Sequence, residues 1–127
     1  MLKKTGLGLL VVLIVIQFIP TTKNQTSIVS ENAIEKKYNT PEKVQAILKK
    51  ACYDCHSNNT VYPWYSHIQP VGIWLNHHVN EGKEELNFSE FNTYEKKKAV
   101  KKMEKVISSQ EKNWMPLSSY TLIHKDA

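Results

Sequence analysis

Arginine is absent from this chain; all 17 basic residues are lysines. Readers of DNA sequence lean on arginine for bidentate base contacts. Its absence therefore argues against a nucleic-acid partner, despite a net charge of +5. Strand-like alternation and internal repeats are also missing, which leaves an all-α class with long connecting loops. No Ser/His/Asp set, carboxylate pair or phosphate-cradling loop stands out, so the chain reads as a carrier or binding protein and not as an enzyme. Cysteine is scarce, with two residues in 127, and the length allows a single domain at most.

What is present begins with Met1-Leu2-Lys3-Lys4 and an apolar run from Leu7 to Ile19, broken only by Gln17 and closed by Pro20. A basic start before an apolar stretch is the pattern of an export segment. The run is short for a spanning helix, which needs roughly 20 residues. No small-residue cleavage site follows it, and no cysteine ends it for lipid attachment. The expectation is an uncleaved anchor over residues 1–20, in preference to a cleaved signal peptide. The lysine pair would stay inside and the rest of the chain would be periplasmic, held on the inner membrane.

Residues 21–39 read as a polar linker. The folded part is expected over 40–127, opening at Thr40-Pro41-Glu42, where Thr suits an N-cap and Pro the first helical position. Val44, Ile47, Leu48 and Ala51 then form one apolar helix face leading into Cys52. A second helix is expected from Val71 to Gly82. A third follows Asn92, which resembles a capping box with Glu95. It should turn Ala99, Val100, Met103, Val106 and Ile107 inward and its lysines outward. Those lysines are a solvated face or a docking surface for an acidic partner. Between the first two helices, "SNNTVYPWYSHIQP" holds more ring surface than a solvent loop needs, so something apolar should lie against it. Leu86, Phe88 and Phe91 are expected to pack inside, with Asn87 stabilising a turn.

Both cysteines fall in "ACYDCHS", residues 51–57, and His56 follows the second. A disulfide there would close a tiny loop and stabilise little. A thioredoxin-like dithiol wants a strand before it, and here a helix precedes. Zinc needs four ligands, and no second close Cys or His pair completes them. Covalent haem attachment accounts for every residue. Two thiols one turn apart can reach the two vinyl groups on one macrocycle edge, and the next imidazole can meet the iron; Cys-x-x-Cys-His is the c-type haem motif.

The opposite axial ligand has six candidates: Met115, His78, His77, His124, His67 and Met103. Met115 is preferred over His78, because Pro116 stiffens the chain after it and Trp114 can close the pocket edge. Met103 lies on an apolar helix face and reads as core. Tyr62, Trp64 and Trp74 are expected to line the cofactor.

The stretches "CYDCHSNNTVYPWYSHIQPVGIWLNHHVNEGKEELNFSEF" and "WMPLSSYTLIHKDA" resemble the small haem-binding domain family of bacterial envelope proteins, single-haem relatives of cytochrome c. The resemblance implies one covalent haem c at Cys52, Cys55 and His56, with Met115 as distal ligand by analogy with cytochrome c. It also implies single-electron transfer between redox partner proteins of the cell envelope. A haem-based sensor or small peroxidase-like protein with an open distal site is the alternative. Cytochrome c folds pack a C-terminal helix on the one preceding the attachment motif. Here the helix after Asn92 is expected to cover Ile47 and Leu48, or they remain partly uncovered.

Overall fold

The computed structural model describes residues 2–125 and 127. Met1, where the basic start begins, and Asp126, in the last stretch, lie outside the described residues. The described chain is helical without strands. Its helices are α1 (Leu2–Ile16), α2 (Ile34–Lys37), α3 (Glu42–Ala51), α4 (Tyr53–His56), α5 (Val71–Glu85), α6 (Lys96–Glu111) and α7 (Ser118–Thr121), with 3₁₀ turns at Trp64–His67 and Phe88–Thr93.

The apolar run does form a helix. Every large apolar side chain from Leu7 to Val15 in α1 is exposed. Its 15 residues span about 22 Å at about 1.5 Å per residue. No described helix is long and apolar enough to cross a membrane.

The stretch 21–39, read as a free linker, is held at both ends. Asn24 donates its side-chain amide to Ser57 O and Thr60 Oγ1 at 2.8 and 2.9 Å, and its carbonyl accepts from the Thr60 N–H at 2.8 Å. Further on, Ala33 and Ile34 are buried, and Asn92 donates to the Ala33 carbonyl at 2.7 Å. The polar composition that suggested a tether is used for hydrogen bonds to the domain, and the few apolar residues plug its base.

The core is one cluster: Ile34, Leu86, Phe88, Phe91 and Ala99, with Leu48, Met103 and Val106 packed against it. Tyr53 stacks on Phe88 at 5.4 Å, and Tyr38 and Tyr94 meet Phe91 edge-on. Such ring pairs add to the burial of their area. Asn87 makes the expected turn, its side chain accepting from the Ser89 N–H at 3.0 Å.

The apolar faces are narrower than the sequence suggested. On α6, Ala99, Met103 and Val106 face the core, whereas Val100 and Ile107 are exposed. One residue past an inward position is turned by about 100°, out of the contact. On α3, Leu48 packs against the core cluster, but Val44 and Ile47 remain exposed.

Two expected caps are built differently. Thr40 bonds to Tyr38 O, and Pro41 takes the cap position of α3, its carbonyl accepting from Gln45 N. Glu95 takes the N-cap position of α6 without a side-chain cap bond; Asn92 lies in the preceding 3₁₀ turn, where its Nδ2 donates to Ala33 O. Gly82 does not stop α5. It lets the helix backbone press onto α4: a Cβ there would lie 2.5 Å from the Cys55 carbonyl oxygen.

Candidate functional site

The chain breaks at Cys52 between α3 and α4. Its backbone leaves the helical region at φ −127°, ψ −40°, while its N–H still bonds Leu48 O at 2.9 Å. The Cys55 and His56 N–H groups then both return to Cys52 O, at 3.2 and 2.9 Å. This tight turn sets Cys52 and Cys55 one helical turn apart and puts His56 immediately after. Both thiols are free and half-buried.

All three residues line a cavity of about 660 Å³. That is within the size range of cofactor sites, roughly 300–1,000 Å³. Leu86, Phe88, Val106 and Leu117 make much of its wall apolar, and Lys102, Lys105 and Lys112 sit on its border. Lys102 donates to the Glu85 carbonyl and Lys105 pairs with the Glu85 carboxylate at 3.2 Å. Partial burial, then Lys98, lower the Lys102 pKa.

His56 Nδ1 lies 3.0 Å from the Leu86 carbonyl oxygen. A carbonyl can only accept, so Nδ1 carries the proton and Nε2 keeps a free lone pair. A ring locked this way through one nitrogen is the arrangement that orients and strengthens a metal-ligating imidazole.

The thiols are not poised as thiolates. Burial pushes the Cys52 pKa up. Burial, then the charges of Asp54 and Cys52, push Cys55 up to about 11. Redox-active cysteines carry the opposite shift. Among the described residues, no three His, Cys, Asp or Glu side chains converge as a metal site. The donor set fits haem: two protonated thiols, one oriented imidazole and an apolar wall. A zinc centre or a dithiol couple fits poorly.

Of the six distal candidates, Met115 and His78 line this cavity. Met115 is held from the backbone: Gln110 Nε2 donates to its carbonyl at 3.0 Å, and the Trp114 N–H bonds Ser109 O at 3.2 Å. Trp114 borders the cavity but is more than half exposed. His78 lies 4.5 Å from the Trp74 ring, and its buried Nδ1 has no hydrogen-bond partner. His77 is exposed beside Glu81 at 3.3 Å, His124 stacks on Tyr120 at 4.1 Å, His67 is on the exposed 3₁₀ turn, and Met103 packs in the core.

Tyr62, Trp64 and Trp74, the aromatic residues expected around the cofactor, do not line the main cavity itself. Tyr62 accepts from the Asn24 N–H at 2.9 Å, under the Lys23 ammonium at 4.2 Å from the ring centre. Trp64 is 75% exposed. Trp74 lines an adjoining side cavity of about 60 Å³, which shares Asp54, Cys55, His78, Leu117 and Tyr120 with the main one. Within the loop, Asn24 and Lys23 engage Tyr62, and Val61, Pro63 and Tyr65 line the side cavity.

Two site residues had no signal in the sequence. Tyr120, on α7, directs its hydroxyl at Lys50 O (3.0 Å) and Asp54 Oδ2 (2.9 Å). This ties the Met115 segment to the residue between the two cysteines. Burial, then the Asp54 hydrogen bond, push the Tyr120 pKa well up, so it stays a donor. Asp54 also accepts from the Val61 N–H at 3.0 Å.

The family model described as haem-binding domain matches residues 11–127. No curated protein and no solved structure matches the chain.

Proposed function

Since the chain belongs to the haem-binding domain family, we propose that its haem is a single covalent haem c and that it passes single electrons in the bacterial cell envelope. Cys52 and Cys55 would hold the group through thioether bonds to its two vinyl substituents. His56 would present Nε2 to the iron, with its ring held by the Leu86 carbonyl. Met115 would present its sulfur from the segment that Gln110 and Tyr120 fasten. Bound haem supplies a reversible one-electron iron couple, and a Met/His pair raises its potential over a His/His pair. The protein's part is to exclude water with Leu86, Phe88 and Leu117 and to hold both ligands still. Redox proteins of the envelope are the proposed partners, reached from an inner-membrane position through α1.

The observation that carries this reading is that Cys52, Cys55, His56 and Met115 border one apolar cavity while the His56 ring is already fixed. Spectra of the haem-loaded protein in both redox states test it. A methionine-to-iron charge-transfer band is expected, lost in Met115→Ala together with a fall in potential. An unchanged spectrum and potential in that variant would contradict Met115 ligation.

His78 supports a second reading, because it borders the same cavity with an unpartnered buried nitrogen. If the distal side is open and His78 assists a bound ligand, the protein is a sensor or a small peroxidase. Rapid carbon monoxide binding to the reduced protein, slowed in His78→Ala, would favour that reading. Slow binding that speeds up only in Met115→Ala favours the electron carrier.

A further inference from the structure

The loop between α4 and α5 is anchored to the end of α1. Gln69 donates its N–H to Gln17 Oε1 at 2.9 Å, and Gln17 Nε2 donates back to Gln69 O at 3.0 Å. The Gln69 side chain donates to Ile19 O at 3.1 Å and accepts from the Ile73 N–H at 2.9 Å. One buried glutamine thus joins α1, the loop and the start of α5. Lys23 adds a contact at 3.4 Å to Ser66.

The apolar surface beside this joint is unusual in its exposure. Phe18 is 82% exposed, Trp64 75% and Val61 73%, with Ile19, Ile68 and Val71 also open. Exposed apolar area of this kind, continuous with another apolar element, marks an interaction surface. Here that other element is α1, apolar on all sides. Lys23 lies beside this loop, over the Tyr62 ring and at Ser66, while Asp54 meets it from the cavity side at the Val61 N–H. Exposed apolar side chains that include a tryptophan, beside Lys23 and continuous with an apolar helix, match a bilayer interface, where tryptophan is enriched and lysine meets anionic headgroups.

We propose that the end of α1 and the loop Val61–Val71 form one lipid-facing surface, with Trp64 seated at headgroup level. The inference rests on α1 entering the bilayer, as in the envelope reading above, and adds where the domain sits once it has. It gives the exposed aromatics a function apart from the haem cavity. A short α1 is accommodated too: a stretch shorter than the hydrocarbon core is met by interfacial anchors and local thinning. The Gln17–Gln69 pair then fixes the orientation of the domain, and so of the cavity mouth, on the membrane.

The test uses the full chain, wild type and Trp64→Phe, with phosphatidylcholine–phosphatidylglycerol vesicles carrying bromine near the glycerol. Trp64 is exposed, so its replacement leaves the core intact. Both chains should float with the vesicles. The wild type should show a blue-shifted tryptophan emission quenched by the brominated lipid, and Trp64→Phe should lose most of that shift and quenching. Equal quenching in the two chains, with both bound, overturns the loop contact while leaving the anchor intact. Failure of both to float overturns the contact and the anchor together. Haem staining of the same samples reads the haem assignment separately.

Discussion

At the residue scale the site depends on how protons are held. Cys55 keeps its proton because burial and the neighbouring Asp54 charge disfavour the thiolate. In the haem-free chain the folded state therefore binds this proton more tightly than the unfolded state does. The stabilisation is complete below the ordinary thiol value of 9.0 and is lost as pH rises toward about 11. Denaturation midpoints of the haem-free chain should fall between about pH 8 and about pH 10.5, and Cys55→Ala should flatten that slope. An equal slope in the variant would show that Cys55 is not its source. Once the sulfur is a thioether it has no proton to lose, so the haem-loaded chain should lack the effect. The grouping of Cys52, Cys55 and His56 at one cavity was legible in the sequence, because a three-residue spacing and an adjacent histidine keep them together. Met115 was legible as the preferred one of six candidates, from Pro116 and Trp114 beside it; of the six, Met115 and His78 border the cavity. The Leu86 carbonyl that orients His56 could not be read, since a backbone acceptor 30 residues away leaves no mark on side-chain pattern.

At the scale of elements, α5 on α4 is the contact that shapes the cavity. Gly82 sits where a Cβ would lie 2.5 Å from Cys55 O and 3.1 Å from Cys55 Cβ. The opposing atoms are backbone, so they cannot swing aside. Gly82→Ala should cost about 1–3 kcal/mol as an overpacked contact. In a domain of this size that lowers Tm by at least about 4 °C. The same substitution should reduce haem incorporation, because it moves the second cysteine. A thermal midpoint equal to wild type would show that α5 can shift without loss. The sequence pointed to a glycine at this position but suggested a helix stop. Local rules describe how a glycine ends a helix, whereas this one is required by a neighbour 27 residues earlier. The two misplaced caps are boundary errors: Asn92 falls inside a 3₁₀ turn before α6, and Pro41, one residue after Thr40, takes the cap position of α3.

For the whole molecule, the cavity at Cys52, Cys55 and His56 and the core share walls. Phe88 is 1% exposed, stacks on Tyr53 and Phe91, and also borders the cavity. Phe88→Ala should destabilise the chain by about 3–5 kcal/mol, read from chemical denaturation. A loss under about 1 kcal/mol would show that the cluster collapses around the gap. The all-α class was evident from the lack of alternation, and the main helices from their apolar periods. The role of residues 21–39 was not evident. A polar stretch reads as solvated unless its partners are known, and here they are loop carbonyls and hydroxyls at residues 57–60 together with a core slot for Ile34. Exposed Val44, Ile47, Val100 and Ile107 show the same limit from the other side, since periodicity gives an apolar stripe but not the width that a neighbour covers.

The account turns on covalent attachment at the Cys52–His56 turn. The intact mass of the polypeptide, produced in a host competent for cytochrome maturation and then denatured, tests it most directly. The account predicts the mass of the chain plus one haem in the wild type, and of the chain alone when Cys52 and Cys55 are both replaced by alanine. A wild-type chain that weighs only what its amino acids weigh contradicts it.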